Sequence, residues 1–358
     1  MVDFHGFDLP IWYSSIQEEH LSTRSSGGVF DVSHMGLFRF RGDDVRSWLS
    51  SVSTQEYMKF RPGRCGYSHF LDHNGIIIDD MIFAVSSENE VFGVPNSTMV
   101  EILLDWLSSL LPEDGSVGID NLSEGTSIIA LQGPNSGDVL TGILGEGNTV
   151  GSFRCQEISE NILGATGWIQ GTGYTGERGF EIFVENDYAQ TIWDAILQDS
   201  RVSPVGLGAR DTLRLEKGYL LSGQDFLWPE IGDVENSLPR GFLARTTAET
   251  AVPYGLDLSH DFLGKGPLIA SIDSGSRLWG MKCVERGPSP RPGHMVLDGP
   301  GDDAEVIGYV TSGGPSPSMG MTGIAIGYLS GRNVGEGVWI QSSSRRRVKS
   351  EVKVLPFL

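Results

Sequence analysis

The hydrophobic and polar positions of this chain follow a helical period in some stretches and a strand period in others. Apolar residues at helical spacing predict helices over residues 99–111 and 188–197. The apolar run 127–131 predicts a buried strand, which ends at a turn over 132–135. After about residue 270, short strand-like runs such as 306–311 and 352–355 alternate with Gly, Pro and Ser turns, which predicts a small β-barrel or sandwich.

These patterns divide the chain into three parts. Residues 1–226 mix helices and hairpins and are expected to form the main α+β region. Residues 227–249 fit neither period, so we interpret 227–270 as a linker or insertion, followed by a β domain over 271–358.

The glycine-rich run 171–181 contains the pattern GxGxxG. A dinucleotide-binding motif requires a helix after its last glycine. Here residues 180–185 alternate apolar and polar side chains as a strand does. The run therefore predicts a tight turn between two strands, the first beginning around Trp168.

Composition narrows the class of protein. The chain has 358 residues and a hydrophobic share of 39%, enough for ordinary buried cores. No apolar stretch approaches the roughly 20 residues of a membrane span. Because the first residues have neither a basic start nor an apolar signal core, we expect a cytoplasmic protein with no membrane partner. Cys65, Cys155 and Cys283 form no CxxC pair and are expected to be packing residues.

The net charge of -20 disfavours nucleic acids and anionic membranes as partners, since both are polyanions. An anionic substrate would need a local basic site. The candidates are Arg210 with Arg214, and the cluster 345–347.

The run 69–85 is the second candidate site. Asn74 followed by Gly75 between two apolar runs predicts a hairpin. Adjacent residues of a strand point to opposite faces, so only one of Asp79 and Asp80 can enter an interior. That carboxylate is either structural, capping a turn or pairing with an arginine, or functional.

The remaining candidates are two arginines of a predicted helix and a glutamate that follows the glycine turn. Arg210 and Arg214 lie four residues apart on one predicted helix face, ended by Gly218. They are either part of a solvated face, with Asp211 offsetting Arg214, or a site for a carboxylate or carbonyl-rich ligand. Glu181 is either the polar face of its strand or a carboxylate that matches the amino edge of a pterin.

Several motifs are absent from the sequence: GxSxG, HExxH and GxxxxGK[ST]. The seven histidines show no ligand spacing. Metal and covalent catalysis are therefore disfavoured.

Short motifs along nearly the whole chain resemble the aminomethyltransferase, or T-protein, family of the glycine cleavage system. They are MVDFHG at 1–6, FDVSHMG at 30–36, DD at 79–80, NS at 96–97, LQGP at 131–134, GYTGE at 173–177, GARD at 208–211, GQD at 223–225, DFLGK at 261–265 and TSGGPSP at 311–317. Each motif alone is weak, but all of them in this order are highly specific.

The resemblance implies a three-domain, cloverleaf-like α+β fold with a central folate cavity and a C-terminal β-barrel domain. It implies that a lipoylated carrier protein, the H-protein, presents an aminomethyl group, that ammonia leaves, and that the methylene passes to tetrahydrofolate. No metal is implied. Catalysis would rest on positioning and electrostatics.

The resemblance also implies roles for particular residues. Asp80 would be the catalytic carboxylate beside the folate nitrogens, with Tyr67 on the partner strand lining the same site. The other implied folate contacts are Asn96, Tyr174, Glu181, Arg210 and Arg291.

The chain departs from the family pattern in three places. The family pattern has further residues before Met1, including a Leu-Tyr, and a tyrosine just after the final Pro-Phe. This sequence lacks both, which weakens the expectations of carrier docking and of one folate contact. Residues 227–249 resemble an insertion, predicted to lie at the cavity rim and to be protected from proteolysis by folate.

Two other functions remain open on the same fold. One is a folate-dependent demethylase of a small N-methyl or S-methyl donor, since cavity shape sets the donor. The other is a non-catalytic folate-binding protein that assists iron-sulfur enzymes. Those relatives carry KGCYxGQ, whereas this chain has KGYLLSGQ at 217–224, without the cysteine.

Overall fold

The computed structural model describes residues 1–4, 6–232, 238–250, 252–273 and 275–358. The chain divides into two compact units. Unit 1 comprises Met1–Phe70, Asp79–Arg210 and Tyr254–Leu263, and unit 2 comprises Leu71–Ile78, Asp211–Pro253 and Gly264–Leu358. The boundaries 226 and 270 stay predictions.

The described helices, in chain order, are α1 (Ile16–Ser25), α2 (Val45–Val52), α3 (Val100–Ser108), α4 (Ser136–Leu144), α5 (Asn186–Leu197), α6 (Leu207–Lys217) and α7 (Lys265–Ser271). The strands are β1 (Val2–Phe4), β2 (Phe7–Leu9), β3 (Gly27–Asp31), β4 (Phe38–Arg41), β5 (Arg64–Leu71), β6 (Ile77–Ser87), β7 (Glu90–Pro95), β8 (Gly118–Asn121), β9 (Thr126–Gln132), β10 (Cys155–Ile162), β11 (Ala165–Gln170), β12 (Gly179–Glu185), β13 (Val202–Pro204), β14 (Ser276–Cys283), β15 (Met295–Leu297), β16 (Val306–Ser316), β17 (Thr322–Ser330), β18 (Gly337–Ser343) and β19 (Arg346–Lys353). The helices predicted over 99–111 and 188–197 are confirmed as α3 and α5.

A six-stranded sheet forms one layer of unit 1, in the order β10-β11-β12-β9-β3-β13. Only β13 and β3 pair in parallel. The buried strand predicted over 127–131 is confirmed as β9. Its alternate side chains Ile129 and Leu131 pack against Leu140 of α4 and Ile192 of α5, so the helices cover one face of the sheet.

A five-stranded sheet, in the order β5-β6-β7-β4-β8, carries the predicted hairpin. The turn between β5 and β6 contains Gly75 at φ 79°, a left-handed conformation that glycine adopts without steric cost. The hairpin places Asp79 and Asp80 near the start of β6.

Six strands of unit 2 close into a barrel, in the order β14-β17-β16-β15-β18-β19. Buried side chains from alternate strand positions, such as Met281, Val310 and Val352, fill its interior. The structure thus decides for a barrel over a sandwich, and the α+β fold with a C-terminal barrel is confirmed.

The predicted insertion, 227–249, lies in unit 2 apart from residues 233–237, which fall outside the described residues. Its described part contains one short 3-10 helix, Pro229–Ile231. Its proposed place at a cavity rim stays a prediction.

Cys65, Cys155 and Cys283 are free and buried, as expected for packing residues. Among the residues that the structure describes, no helix combines the length and apolar character needed to cross a membrane.

Candidate active site

The glycine run joins β11 to β12, which pair antiparallel, so the predicted turn between two strands is confirmed. The side chain of Gln132, at the end of β9, fills the turn. Its amide nitrogen donates to the Thr172 carbonyl at 3.1 Å, and its oxygen accepts from the Thr175 hydroxyl at 2.9 Å. A Cβ on Gly173 would lie 2.0 Å from that oxygen. The turn therefore needs glycine because it wraps around a buried amide.

Glu181 lies just after this turn, partly buried on β12. The Thr172 hydroxyl donates to one of its carboxylate oxygens at 2.5 Å. Burial raises the pKa of Glu181, while the Thr172 hydrogen bond and the charge of Arg210 act in the opposite direction. The guanidinium of Arg210 lies 4.9 Å from the ring centroid of Tyr174. A carboxylate, a guanidinium and an aromatic ring thus form one cluster.

Asp80 is the centre of a second cluster, in which β5, β6 and the end of β7 meet. The Tyr67 hydroxyl donates to Asp80 Oδ2 at 2.5 Å, and the Asn96 amide donates to Asp80 Oδ1 at 2.5 Å. Asn96 also donates to Asp79 at 2.9 Å. Asp79 is fully buried and Asp80 only partly. The structure therefore places the functional candidate at the accessible face of the strand.

The hydrogen bonds that hold Asp80 come from neutral groups. Burial raises the pKa of Asp80, and the hydrogen bonds from Tyr67 and Asn96 oppose that rise. Burial and the nearby Asp80 carboxylate raise the pKa of Tyr67, so its hydroxyl keeps its proton. The site holds an oriented carboxylate whose charge is only partly compensated by the protein.

Tyr67 connects the two clusters. Tyr174 is near enough to contribute to the raised pKa of Tyr67, after burial and Asp80, and the Tyr67 ring centroid lies 5.7 Å from that of Tyr254. All of these residues belong to unit 1. The structure thus brings together six of the seven predicted site residues, which are Tyr67, Asp80, Asn96, Tyr174, Glu181 and Arg210.

Arg291 belongs to unit 2. It is exposed in the loop before β15, and its backbone N–H lies 3.2 Å from Nδ1 of His294. Its role as a folate contact stays a prediction.

Arg214, Arg346 and Arg347 have their partners within unit 2. Arg214 is 1% exposed and forms ion pairs of 2.8 Å with Asp211 and with the fully buried Asp225. The interpretation as an internally paired residue is correct for Arg214, but the pair is buried rather than solvated. In the cluster 345–347, Arg346 donates to the Arg286 carbonyl and Arg347 to the Pro300 carbonyl.

Sequence reasoning missed three neighbours of the site: His69, Thr172 and Tyr254. His69 Nε2 lies 3.1 Å from the Tyr67 hydroxyl. Its position two residues after Tyr67 on a predicted strand, and therefore on the same face, was the available signal. In the part of the chain that the structure describes, no three His, Cys, Asp or Glu side chains are grouped so that they could hold a metal ion.

Comparison with known families identifies both parts of the chain. The model of the GCVT N-terminal domain matches residues 1–238, and that of the glycine cleavage T-protein C-terminal barrel domain matches residues 277–358. The chain belongs to the glycine cleavage T-protein family. The resemblance inferred from the motifs is thereby confirmed.

Individual relatives match this T-protein over nearly its whole length. The aminomethyltransferase of Thermosipho melanesiensis is 34% identical, over 100% of this chain and 93% of the relative. The probable aminomethyltransferase of Halobacterium salinarum is 32% identical, over 99% of this chain and 94% of the relative. The crystal structure of the glycine cleavage system aminomethyltransferase T from Bartonella henselae superimposes with a TM-score of 0.86 at 28% identity, covering 100% of this chain and 93% of that one.

This T-protein is therefore an enzyme, an aminomethyltransferase of the glycine cleavage system. The alternatives of a demethylase and of a non-catalytic folate-binding protein are not favoured.

Proposed function

We propose that this aminomethyltransferase passes the methylene carbon of an aminomethyl group, carried on the lipoyl arm of a carrier protein, to tetrahydrofolate. The bonds from this carbon to the amino nitrogen and to the lipoyl sulfur break, so ammonia is released and the lipoyl arm is left as a free thiol. The observation that carries the proposal is the presence of two partly buried carboxylates, Asp80 and Glu181, in one unit and next to aromatic rings. A carboxylate has about four acceptor sites. Asp80 accepts from Tyr67 and Asn96, and Glu181 accepts from Thr172, so each can accept further hydrogen bonds from a ligand rich in N–H groups.

Glu181 suits the amino-pyrimidine end of a folate. That edge offers two parallel N–H donors, which a carboxylate can accept in the same manner as a guanidinium fork. Burial raises the pKa of Glu181, so donors from a bound ligand would stabilise its ionised form. Tyr174 and Arg210 offer a ring and a guanidinium beside it for a flat heterocycle.

Asp80 is proposed to act at the reacting nitrogens. Its carboxylate would orient the folate N5 for attack on the methylene carbon and would stabilise the positive charge that develops on that nitrogen. Tyr67 and Asn96 each bind one oxygen of Asp80, which fixes the plane of the carboxylate before substrate arrives. Arg291 is proposed as a further folate contact.

A coupled assay with aminomethyl-loaded, lipoylated carrier protein and tetrahydrofolate tests this function. The wild type is expected to form ammonia and methylene-tetrahydrofolate. Asp80→Asn should still fold and bind folate but turn over at least about a hundredfold more slowly, because it loses the charge that acts in the transition state. Asp105→Asn, at an exposed position of α3, is the matched control and should behave as the wild type.

Two outcomes would contradict the proposal. If the wild type binds folate but releases no ammonia from the loaded carrier, the reaction is wrong. If Asp80→Asn retains full turnover, the reaction stands and the role of Asp80 is wrong.

A further inference from the structure

His69 is a buried titratable residue to which the proposed function gives no role. It lies on β5 with no solvent exposure, two residues after Tyr67. Its Nε2 lies 3.1 Å from the Tyr67 hydroxyl, and the two rings meet edge to face with centroids 5.1 Å apart. The same hydroxyl lies 2.5 Å from Asp80. The three side chains therefore form a chain of hydrogen bonds that ends at the proposed catalytic carboxylate.

Counting protons fixes the direction of this chain. A tyrosine hydroxyl has one proton, and an ionised carboxylate can only accept. Because Tyr67 donates to Asp80, its oxygen must accept from His69, and this requires the proton of His69 to be on Nε2. Burial lowers the pKa of His69 to about 3, so the ring is neutral and carries one proton at ordinary pH.

We propose that His69 is a positioning residue for the transfer reaction, which donates its Nε2 proton to Tyr67 and thereby directs the Tyr67 proton at Asp80. Its effect on turnover rests on the proposed function, whereas the tautomer and the direction of the hydrogen bonds do not.

The consequence for Asp80 is electrostatic. Successive hydrogen bonds polarise one another, so a donor on the Tyr67 oxygen strengthens the bond that Tyr67 gives to Asp80. His69 thus helps to keep Asp80 ionised without touching it. The other titratable groups around this chain are Asp79 on β6, Tyr174 on the glycine turn and Tyr254, with Glu181 and Arg210 beyond Tyr174.

The tautomer can be measured without substrate. In protein labelled with 15N-histidine, His69→Gln identifies the His69 signals by their disappearance. The expected result is a neutral ring protonated at Nε2 that does not titrate between pH 5 and 8. A ring protonated at Nδ1, or one that gains a proton in this range, would overturn the proposal even if the enzyme is fully active.

The effect on Asp80 is read from the acid limb of the pH profile of kcat/KM. His69→Leu, which cannot donate, should move that limb to higher pH by a few tenths of a unit, because a weaker Tyr67 hydrogen bond stabilises the ionised form less. His69→Gln keeps a side-chain N–H donor and should restore the wild-type limb.

Combining His69→Leu with Tyr67→Phe distinguishes an effect of His69 through the Tyr67 hydroxyl from an effect through packing. With the hydroxyl removed, His69→Leu should leave the acid limb where Tyr67→Phe alone puts it. A further shift of the same size in that background, or an unchanged limb in the single variant, would show that His69 acts only through packing.

Discussion

Asn96, the residue after β7, lies beside Asp80 of β6, and its side-chain nitrogen is 2.5 Å from Asp80 Oδ1. The sheet register explains this contact. Met81 pairs with Pro95, the last residue of β7, in the antiparallel ladder of β6 and β7, and Asn96 follows Pro95 directly just as Asp80 precedes Met81. The pairing of β6 with β7 thus places the neutral amide of Asn96 next to the carboxylate of Asp80, which the proposed mechanism uses.

Replacing Asn96 should change the acidity of Asp80. Asn96→Leu removes a hydrogen bond that favours the ionised form, so the pKa of Asp80, already raised by burial, should rise further. Activity that needs the carboxylate is present above this pKa and is lost as the pH falls through it. The acid limb of kcat/KM should therefore move to higher pH.

Asn89→Leu is the matched control, because Asn89 donates to Asp43 at the exposed surface. Its pH profile should match that of the wild type. If the acid limb of Asn96→Leu lies at the same pH as that of the wild type, ionisation of Asp80 does not set the acid limb.

Glu181 should control folate affinity. Glu181→Gln replaces one acceptor oxygen by a donor, and KM for tetrahydrofolate is expected to rise about tenfold or more with a smaller change in kcat. Folate affinity should weaken as the pH falls through the pKa of Glu181, because the protonated side chain accepts fewer hydrogen bonds. Burial raises this pKa, so the loss should begin at a higher pH than it would for an exposed glutamate.

Glu185→Gln, on the same strand but exposed, should leave KM and its pH dependence unchanged. The folate assignment fails if both variants have the same KM, or if Glu181→Gln shows the pH dependence of the wild type.

Arg214 should matter for stability. Its guanidinium pairs with Asp225 and donates to Ser312 in a completely buried network. Arg214→Met leaves the Asp225 carboxylate buried without its cation, which is expected to cost about 3–5 kcal/mol in the free energy of unfolding. Arg201→Met, which breaks an exposed pair with Asp199, should change it little. Denaturant unfolding measures both, and equal losses would contradict the buried-pair account.

Gly173 should be required for stability, because the side-chain amide of Gln132 leaves no room for a Cβ at this position. Gly173→Ala places a Cβ where the Gln132 oxygen lies, so the turn must shift or Gln132 must release its hydrogen bonds. We expect a loss of about 1–3 kcal/mol in stability together with a higher KM for folate. Gln132→Ala in the same protein should recover part of the stability loss.

Gly142→Ala in α4, where a Cβ meets nothing within 4 Å, should be neutral or stabilising. A Gly173→Ala protein as stable as the wild type would disprove the steric account.

Local patterns in the sequence were sufficient to predict several of the helices and strands. Alternation over 180–185 excluded a helix after the glycine run, and β12 follows there. Helical spacing predicted α3 and α5, and Asn74 with Gly75 predicted the hairpin that carries the aspartates. The motifs in their order also determined the family. These features depend on near neighbours, because side-chain direction repeats every 2 residues in strands and every 3.6 in helices.

Which charged residues remain available for chemistry depends on how the elements pack and could not be predicted from local patterns. Arg210 and Arg214 are equivalent by spacing, yet Arg214 is neutralised by Asp225 and bound to Ser312, 98 residues away, while Arg210 lies over Tyr174. His69 was not a candidate in the sequence, and the fold places the Tyr67 hydroxyl within hydrogen-bond distance of both His69 and Asp80. The physical reason is that hydrogen bonds and burial depend on distances between side chains, and packing alone sets those distances for residues on different strands and helices.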